Sequence, residues 1–372
     1  MTLCLYTHAP GLPTIMTDTL VTIDGIPQPT PTTLIKSSRP DIYNDHSVLT
    51  AKFWHHGNCV MGFAGDVRGI FQFHEDLRHY FRPDLIQARP MSWLSGQIND
   101  WNSSRPDGHI GILGFCPKDD YVDIAAPMEQ VRWRKTRCFG DVCTIGSGGP
   151  QALDFIADFE DRHMNAMSDA ERDNPYILSH SLVGALNSGK LFNLLDKEDR
   201  SWGGYIHCRS FDMINEVWSW SPNWLHICVE FIDHGSFVVP KWRTRVAAFC
   251  DYYLESEVCV LNMDTSMQSA RSWHVSNLFH RRWTMTCAAF ADATFMPQIV
   301  SFAVVDRTGG NFSVSYRTIF SDLLRKMKYK FNKMTGMGFY FPNDLILMLA
   351  RPVLDTKSYF KLQQGLEQQD QA

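Results

Sequence analysis

The chain has no CxxC pair among its ten cysteines and no HExxH among its fourteen histidines, and the common zinc frameworks are built on such pairs. No metal and no other cofactor is therefore expected in a catalytic step. Spread along the length, the cysteines read as buried or free thiols of a reducing compartment. No apolar run approaches the roughly 18 residues of a membrane span. The opening MTLCLYTHAPGLPTIMTDTL lacks the basic n-region and long apolar segment of a secretory signal. A cytoplasmic protein with no membrane span is expected. Positive charge is not in excess, since 35 Lys and Arg stand against 40 Asp and Glu for a formal net charge of −5. The global basic field that favours nucleic acid is missing, and no nucleic-acid partner is expected. Internal repeats are absent, and the one low-complexity tract is the polar tail Gln363 to Ala372, expected to be disordered.

What is present is the composition of an ordinary globular protein: 372 residues, 44% hydrophobic, 20% charged and 13% aromatic. The length suggests two units. Leu3 to Tyr6 and Thr14 to Met16 are short β-rich runs around Pro10-Gly11, which predicts a hairpin with Thr2 at its edge. Val48 to His55 and Cys59 to Phe63 around Gly57-Asn58 predict a second hairpin. Apolar residues recur at helical spacing over Val67 to Phe81 and Met91 to Trp101. Strands are expected at Ile110 to Phe115, Tyr121 to Ala125 and Val142 to Ile145, then helices from Pro150 and over Tyr176 to Leu195. Strands follow again at Tyr205 to Cys208 and Glu216 to Trp220. Alternating runs of strands and helices predict an α+β arrangement of helices on a mainly antiparallel sheet. Further on, Tyr316 to Lys333 carries an apolar stripe of Ile319, Leu323, Leu324, Met327 and Phe331 beside Arg325, Lys326, Lys328, Lys330 and Lys333. It is expected to be a core-packed helix with a solvated basic face.

The residues that could carry chemistry stand in a fixed order: Thr2, Asp18, Lys52, the turn Gly62-Phe63-Ala64-Gly65, the turn Gly146-Ser147-Gly148-Gly149, and Asp199 ahead of Gly203-Gly204. The second glycine-rich turn lacks the G-K-[ST] ending of a phosphate loop. It also lacks the G-x-S-x-G order of a nucleophile elbow. A threonine at a free amino terminus, by contrast, holds nucleophile and base in one residue, because its α-amine can take the proton from its own Oγ.

Taken together these landmarks resemble the proteasome β-subunit family of N-terminal nucleophile (Ntn) hydrolases, most closely its HslV-type members, over roughly residues 2 to 235. The family's terminal threonine, glycine turn, strand and D-x-x-x-T motif fall at Thr2, Gly11, Ile15, Asp18 and Thr22. Its lysine ahead of a GxxAGG turn falls at Lys52, with Lys36 as the competing position. Two places depart from the pattern: Asp66 stands for the second glycine of the AGG turn, and Trp202 for the late serine, with Ser201 one place early.

The resemblance implies a four-layer αββα Ntn-hydrolase sandwich over residues 1–235 with a C-terminal extension over 236–372. It implies a hydrolase of the threonine-type endopeptidase class that attacks peptide bonds of a polypeptide or peptide substrate with Thr2 after loss of Met1. Lys52 would favour the neutral amine by like-charge repulsion and stabilise charge developing on Oγ, and Asp18 would hold the lysine. Gly65 would supply the oxyanion donor. Ser147 and Asp199 would orient the terminal amine, while Thr22 and Phe63 would contact substrate, Phe63 at the neck of its pocket. The family also implies a homo-oligomer, in ring form, with an ATPase or adaptor partner. Two other readings share these residues: an Ntn amidase acting on a small amide, and a proteasome-like scaffold whose site Trp202 and Asp66 have impaired.

Overall fold

The computed structural model describes residues 2–19, 22–23, 26–27, 49–56, 58–105, 109–164, 167–192, 194, 202, 204–219, 223–233, 240–251, 256–262, 269–277, 297–306, 313–320, 328–332, 336–340 and 342–370. The expected first hairpin forms from β1 (Cys4–Ala9) and β2 (Leu12–Asp18), paired from Cys4 with Thr17 to Ala9 with Leu12. Gly11 turns the chain with φ +79°, a left-handed conformation that residues with a Cβ rarely adopt. Side chains alternate strictly, with Leu3, Leu5 and Met16 entering one apolar cluster and Cys4, Tyr6 and Ile15 another. Both faces are covered, which is why every residue of β2 is buried.

Two short strands, β3 (Thr22–Ile23) and β4 (Ile26–Pro27), pair with each other. They are followed by β5 (Leu49–Ala51), β6 (Phe53–His56) and β7 (Cys59–Gly65), of which β6 and β7 make the expected second hairpin. Helices α1 (Val67–Tyr80), α2 (Pro83–Gln87) and α3 (Met91–Ser104) lead to strands β8 (Ile110–Cys116) and β9 (Tyr121–Ala125). Strands β6 to β9 form a four-stranded sheet in sequence order. Its outer face, with Met61 and Phe63, packs on Ile70, Phe73 and Leu77 of α1 and on Leu94 and Ile98 of α3. The inner face meets the first hairpin so closely at Gly62 that an added Cβ would lie 2.7 Å from Thr17 Cγ2.

The first hairpin is the centre of a six-stranded sheet, completed by β10 (Arg132–Lys135), β11 (Asp141–Ile145), β12 (Ile206–Asp212) and β13 (Val217–Ser219). The order is β10-β11-β1-β2-β12-β13. Its other face carries α4 (Gly149–Arg162) and, after the one-turn α5 (Asp169–Arg172), the helix α6 (Pro175–Leu191). Helix α6 is buried on all sides from Leu178 to Leu191. It contacts the six-stranded sheet on one side and β14, β18 and β19 of a third sheet on the other.

That third sheet contains β14 (Trp224–Asp233), β15 (Lys241–Asp251), β16 (Ser256–Asn262), β17 (Ser269–Asn277), β18 (Ile299–Asp306) and β19 (Ser313–Phe320), with β5 at one edge. After the hairpin of β20 (Lys328–Asn332) and β21 (Gly336–Tyr340), helices α7 (Asn343–Ala350) and α8 (Thr356–Asp370) close the chain. Leu345, Ile346, Leu349, Leu362 and Leu366 from these helices pack with Leu225, Val300 and Phe302 from the face of the third sheet turned away from α6.

Three expectations are corrected. Tyr316 to Phe320 belongs to a strand and Lys328 to Asn332 to another, so the expected helix over Tyr316 to Lys333 is not formed there. Tyr316 and Val314 on alternate positions of β19 pack against the α6 cluster, and this period-two burial overrides the helical spacing of the apolar residues. Gln363 to Asp370 is helical rather than disordered, because Leu362 and Leu366 anchor one face of α8. Cys59 and Cys116, expected as thiols, are joined as a disulfide between the start of β7 and the end of β8, their Cα atoms 4.5 Å apart. Cys4, Cys138 and Cys143 are free thiols. Strands β14 and β15 are hydrogen-bonded neighbours in the third sheet. Among the described residues no helix is long and apolar enough to cross a membrane.

Candidate functional site

Thr2 lies just ahead of β1, and its surroundings come from three separate elements. The first is β7: the amide of Gly65 donates to Thr2 Oγ1 at 2.6 Å. Gly65 has φ +111°, and a Cβ there would collide with the carbonyl oxygen of His109, so only glycine turns the amide this way. Asp66, the departure from the AGG pattern, is exposed and caps α1, accepting from Arg68 N at 3.3 Å and from Gly69 N at 2.8 Å. Its side chain is occupied at the helix start.

The second element joins β2 to the start of β6. Lys52 Nζ donates to Asp18 Oδ1 at 2.7 Å, and both side chains are fully buried. The same oxygen accepts from Leu3 N at 3.0 Å, while Asp18 N donates to Leu3 O at 3.1 Å. The carboxylate thus ties the lysine to the residue immediately after Thr2. Cys4 is also buried here, its thiol pushed well up by burial and by the neighbouring Cys143 and Asp18, so it stays protonated.

The third element is the turn between β11 and α4. Thr2 N donates to Ser147 Oγ at 3.3 Å, and Gly148 N donates to Thr2 O at 3.3 Å. Gly146 has φ +92°, and a Cβ on it would run into the Thr2 carbonyl. The Ser147 turn is therefore docked on the backbone of Thr2 from one side.

Thr2, Asp18, Lys52, Gly65 and Ser147 are thus brought together. Phe63 is not presented to the site: it has no exposed surface and stacks on Trp54, 6.2 Å between ring centroids, in the cluster under α1. It offers no neck for an incoming side chain. Thr22 lies in β3, paired with Pro27. Asp199 and Lys36 lie outside the described residues.

The group that sequence reasoning missed is Trp202 with Lys190 and Gln151. Trp202 is 2% exposed and its indole lies against Gly148. Its Nε1 donates to Gln151 Oε1 at 2.9 Å, and Lys190 sits 3.8 Å above the ring while donating to Trp202 O at 3.1 Å. One signal was legible: Lys190 is the only charged residue in PYILSHSLVGALNSGKL. Among the described residues no group of three or more His, Cys, Asp or Glu is placed to hold a metal ion.

No family model matches the sequence, and no curated protein matches it. Among solved structures the chain is similar to Thiobacillus denitrificans BPH, at 12% identity and a TM-score of 0.34, covering 57% of this chain and 98% of that one. It is similar to HslV from Trypanosoma brucei at 13% identity and a TM-score of 0.31, covering 56% and 99%. A third structure, Thiobacillus denitrificans BPH in complex with epoxomicin, gives 14% identity and a TM-score of 0.32, covering 57% and 98%. The chain has a mixed helix and sheet fold, and the functional reading below rests on the geometry of its own site.

Proposed function

We propose that the protein is a threonine-type peptidase in which Thr2, freed by removal of Met1, is both nucleophile and base. The contact that carries this reading is the 2.6 Å hydrogen bond from Gly65 N to Thr2 Oγ1, beside a fully buried Asp18–Lys52 pair. An ammonium held at zero exposure is costly unless paired, and a pair so placed needs a reason. Here its positive charge would favour the neutral form of a Thr2 amine, whose ordinary pKa is about 7.7 to 8.0.

In the reaction, Thr2 Oγ forms a bond to the scissile carbonyl carbon while its proton passes to the α-amine. The carbonyl electron pair moves to oxygen, and the Gly65 amide would pass from Thr2 Oγ1, now bonded to carbon, to this oxygen. Collapse breaks the carbon–nitrogen bond, and the ammonium returns the proton to the leaving amine. Water, deprotonated by the same α-amine, then attacks the ester and restores Thr2. Ser147 Oγ, which now accepts from Thr2 N at 3.3 Å, would orient that amine. No cofactor enters this scheme.

We read α1 and α3, the four-stranded sheet, the six-stranded sheet, and α4 with α6 as the αββα layering of an Ntn hydrolase. Residues 236–372 then supply most of the sheet that covers α6. Assembly into a homo-oligomeric ring and recruitment of an ATPase or adaptor belong to the same proposal, as do a location in the cytoplasm and action on polypeptides. The experiment is turnover of an unfolded polypeptide and of small amides by the parent protein, Thr2→Ser and Thr2→Ala. Polypeptide cleavage retained by Thr2→Ser and lost in Thr2→Ala is expected. Cleavage of small amides alone would favour an amidase, and unchanged cleavage by Thr2→Ala would overturn the nucleophile.

A further inference from the structure

The Ser147 turn is held on its second side by Trp202. A Cβ added at Gly146 would strike the Thr2 carbonyl, and one added at Gly148 would strike Cδ1 and Cγ of the Trp202 indole. The tripeptide Gly146-Ser147-Gly148 is therefore wedged between the residue it serves and an aromatic plate. Two groups fix that plate. Gln151, in the first turn of α4, accepts from the indole Nε1 at 2.9 Å, so the ring is tied to the helix that begins at the turn. Lys190, one residue from the end of α6, lies 3.8 Å above the ring and donates to the Trp202 carbonyl at 3.1 Å. A cation over an indole face is attracted by the ring's negative quadrupole, more so when water is excluded, and Lys190 is only 9% exposed.

We propose that Trp202, braced by Lys190 and Gln151, is a positioning residue for the nucleophile: it presses Gly148 onto the Thr2 backbone and so sets where Ser147 Oγ meets the Thr2 nitrogen. The inference rests on the proposed role of Thr2. The chain of contacts runs from α6 through Lys190 and Trp202 to Gly148, whose amide donates to Thr2 O at 3.3 Å. With the plate gone, Gly148 loses the side chain packed against it, and Ser147 would no longer hold the amine in one orientation. Thr2 would keep its hydrogen bond from Gly65, which does not pass through Trp202. The loss falls on the chemical step and on the proton affinity of the amine rather than on binding.

The test is the rate of covalent addition of a peptide epoxyketone to Thr2, followed by intact mass as a function of probe concentration and pH. The proteins are the parent, Trp202→Ala, Trp202→Phe and Gln151→Met. For Trp202→Ala the limiting rate of addition is expected to fall roughly 10- to 100-fold, as misplaced catalytic groups do. The probe concentration for half-maximal rate should stay close to the parent value, and the pH midpoint should move. Trp202→Phe keeps a ring on Gly148 and should recover most of the rate. Gln151→Met lies at a half-buried helix start, so it keeps the question open to measurement if Trp202→Ala does not fold; it should slow addition a few-fold, the worth of one hydrogen bond. Parent-like limiting rates and pH midpoints in the folded variants would overturn the positioning role while leaving the nucleophile intact. A parent protein that forms no adduct on Thr2 would overturn the nucleophile, and this inference with it.

Discussion

The amide of Gly65 donates to Thr2 Oγ1 at 2.6 Å from a residue whose φ is +111°. Replacing that glycine by alanine would drive a Cβ into the His109 carbonyl, so the turn must open and the donor must leave. Gly65→Ala is predicted to lose about 10²- to 10³-fold in turnover, as expected for removal of an oxyanion donor. Backbone strain of about 1–3 kcal/mol accompanies it. Turnover and urea unfolding of the same preparation check both parts, and near-parent turnover would contradict the assignment.

Asp18 and Lys52 form a pair with no exposed side-chain surface. Removing one partner leaves a buried charge, which typically costs about 3–5 kcal/mol. Asp18→Asn and Lys52→Met should each destabilise the protein by that amount, and the double variant by clearly less than the sum. A double-mutant cycle in urea measures the coupling. Additive losses would mean that the two charges do not depend on each other.

Acid should unfold the protein through its buried histidines. Burial lowers the pKa of His163 and His180 to about 4 and that of His226 to about 3. His163 packs on Phe159 and Tyr316, His180 stacks on Trp224, and His226 lies between Ser188 and the Tyr205 hydroxyl. In the unfolded chain they titrate near 6.5. Above that pH both states are neutral and no stability is lost. Below it the unfolded chain takes up protons that the folded one refuses, so stability falls with pH until the folded values are reached. Each such group contributes a slope of about 1.4 kcal/mol per pH unit between the two pKa values. Urea unfolding between pH 7.5 and 4.5, with His163→Phe as the comparison, should show a shallower slope in the variant.

Cys59 and Cys116 tie β7 to β8 across a sequence separation of 57 residues. Reduction, or the double substitution to alanine, should lower stability by about 2–4 kcal/mol. Unfolding with and without a phosphine reductant measures it, with the thiol state followed by mass. Unchanged stability in the reduced form would show that the pairing of β7 with β8 suffices alone.

Most of the longer strands and helices up to about residue 220 were legible because their apolar residues repeat at the period of the element they form: Leu3 and Leu5 against Cys4 and Tyr6 in β1, and Ile70, Phe73 and Leu77 in α1. The candidate site was legible as an order of short motifs, since Gly65 and Gly146 each occupy a backbone conformation that glycine serves best. Two kinds of information were not. Ile319 and Phe331 fit a helical stripe, but the strand around Ile319 is fixed by its antiparallel pairing with the preceding strand β18, which the spacing within the segment itself does not reveal. Trp202 stands in the sequence only as a departure from the pattern, because its partners, Gly148, Gln151 and Lys190, are distant from it in the chain. Only the fold brings them to one ring.

The central claim is tested most directly by intact mass of the purified protein before and after reaction with a peptide epoxyketone, which can close a ring through a hydroxyl and a free amine on one residue. The account predicts a chain that has lost Met1, gains one adduct located on Thr2, and gains none when Thr2 is alanine. A chain that retains Met1, or an adduct of the same yield in Thr2→Ala, would contradict it.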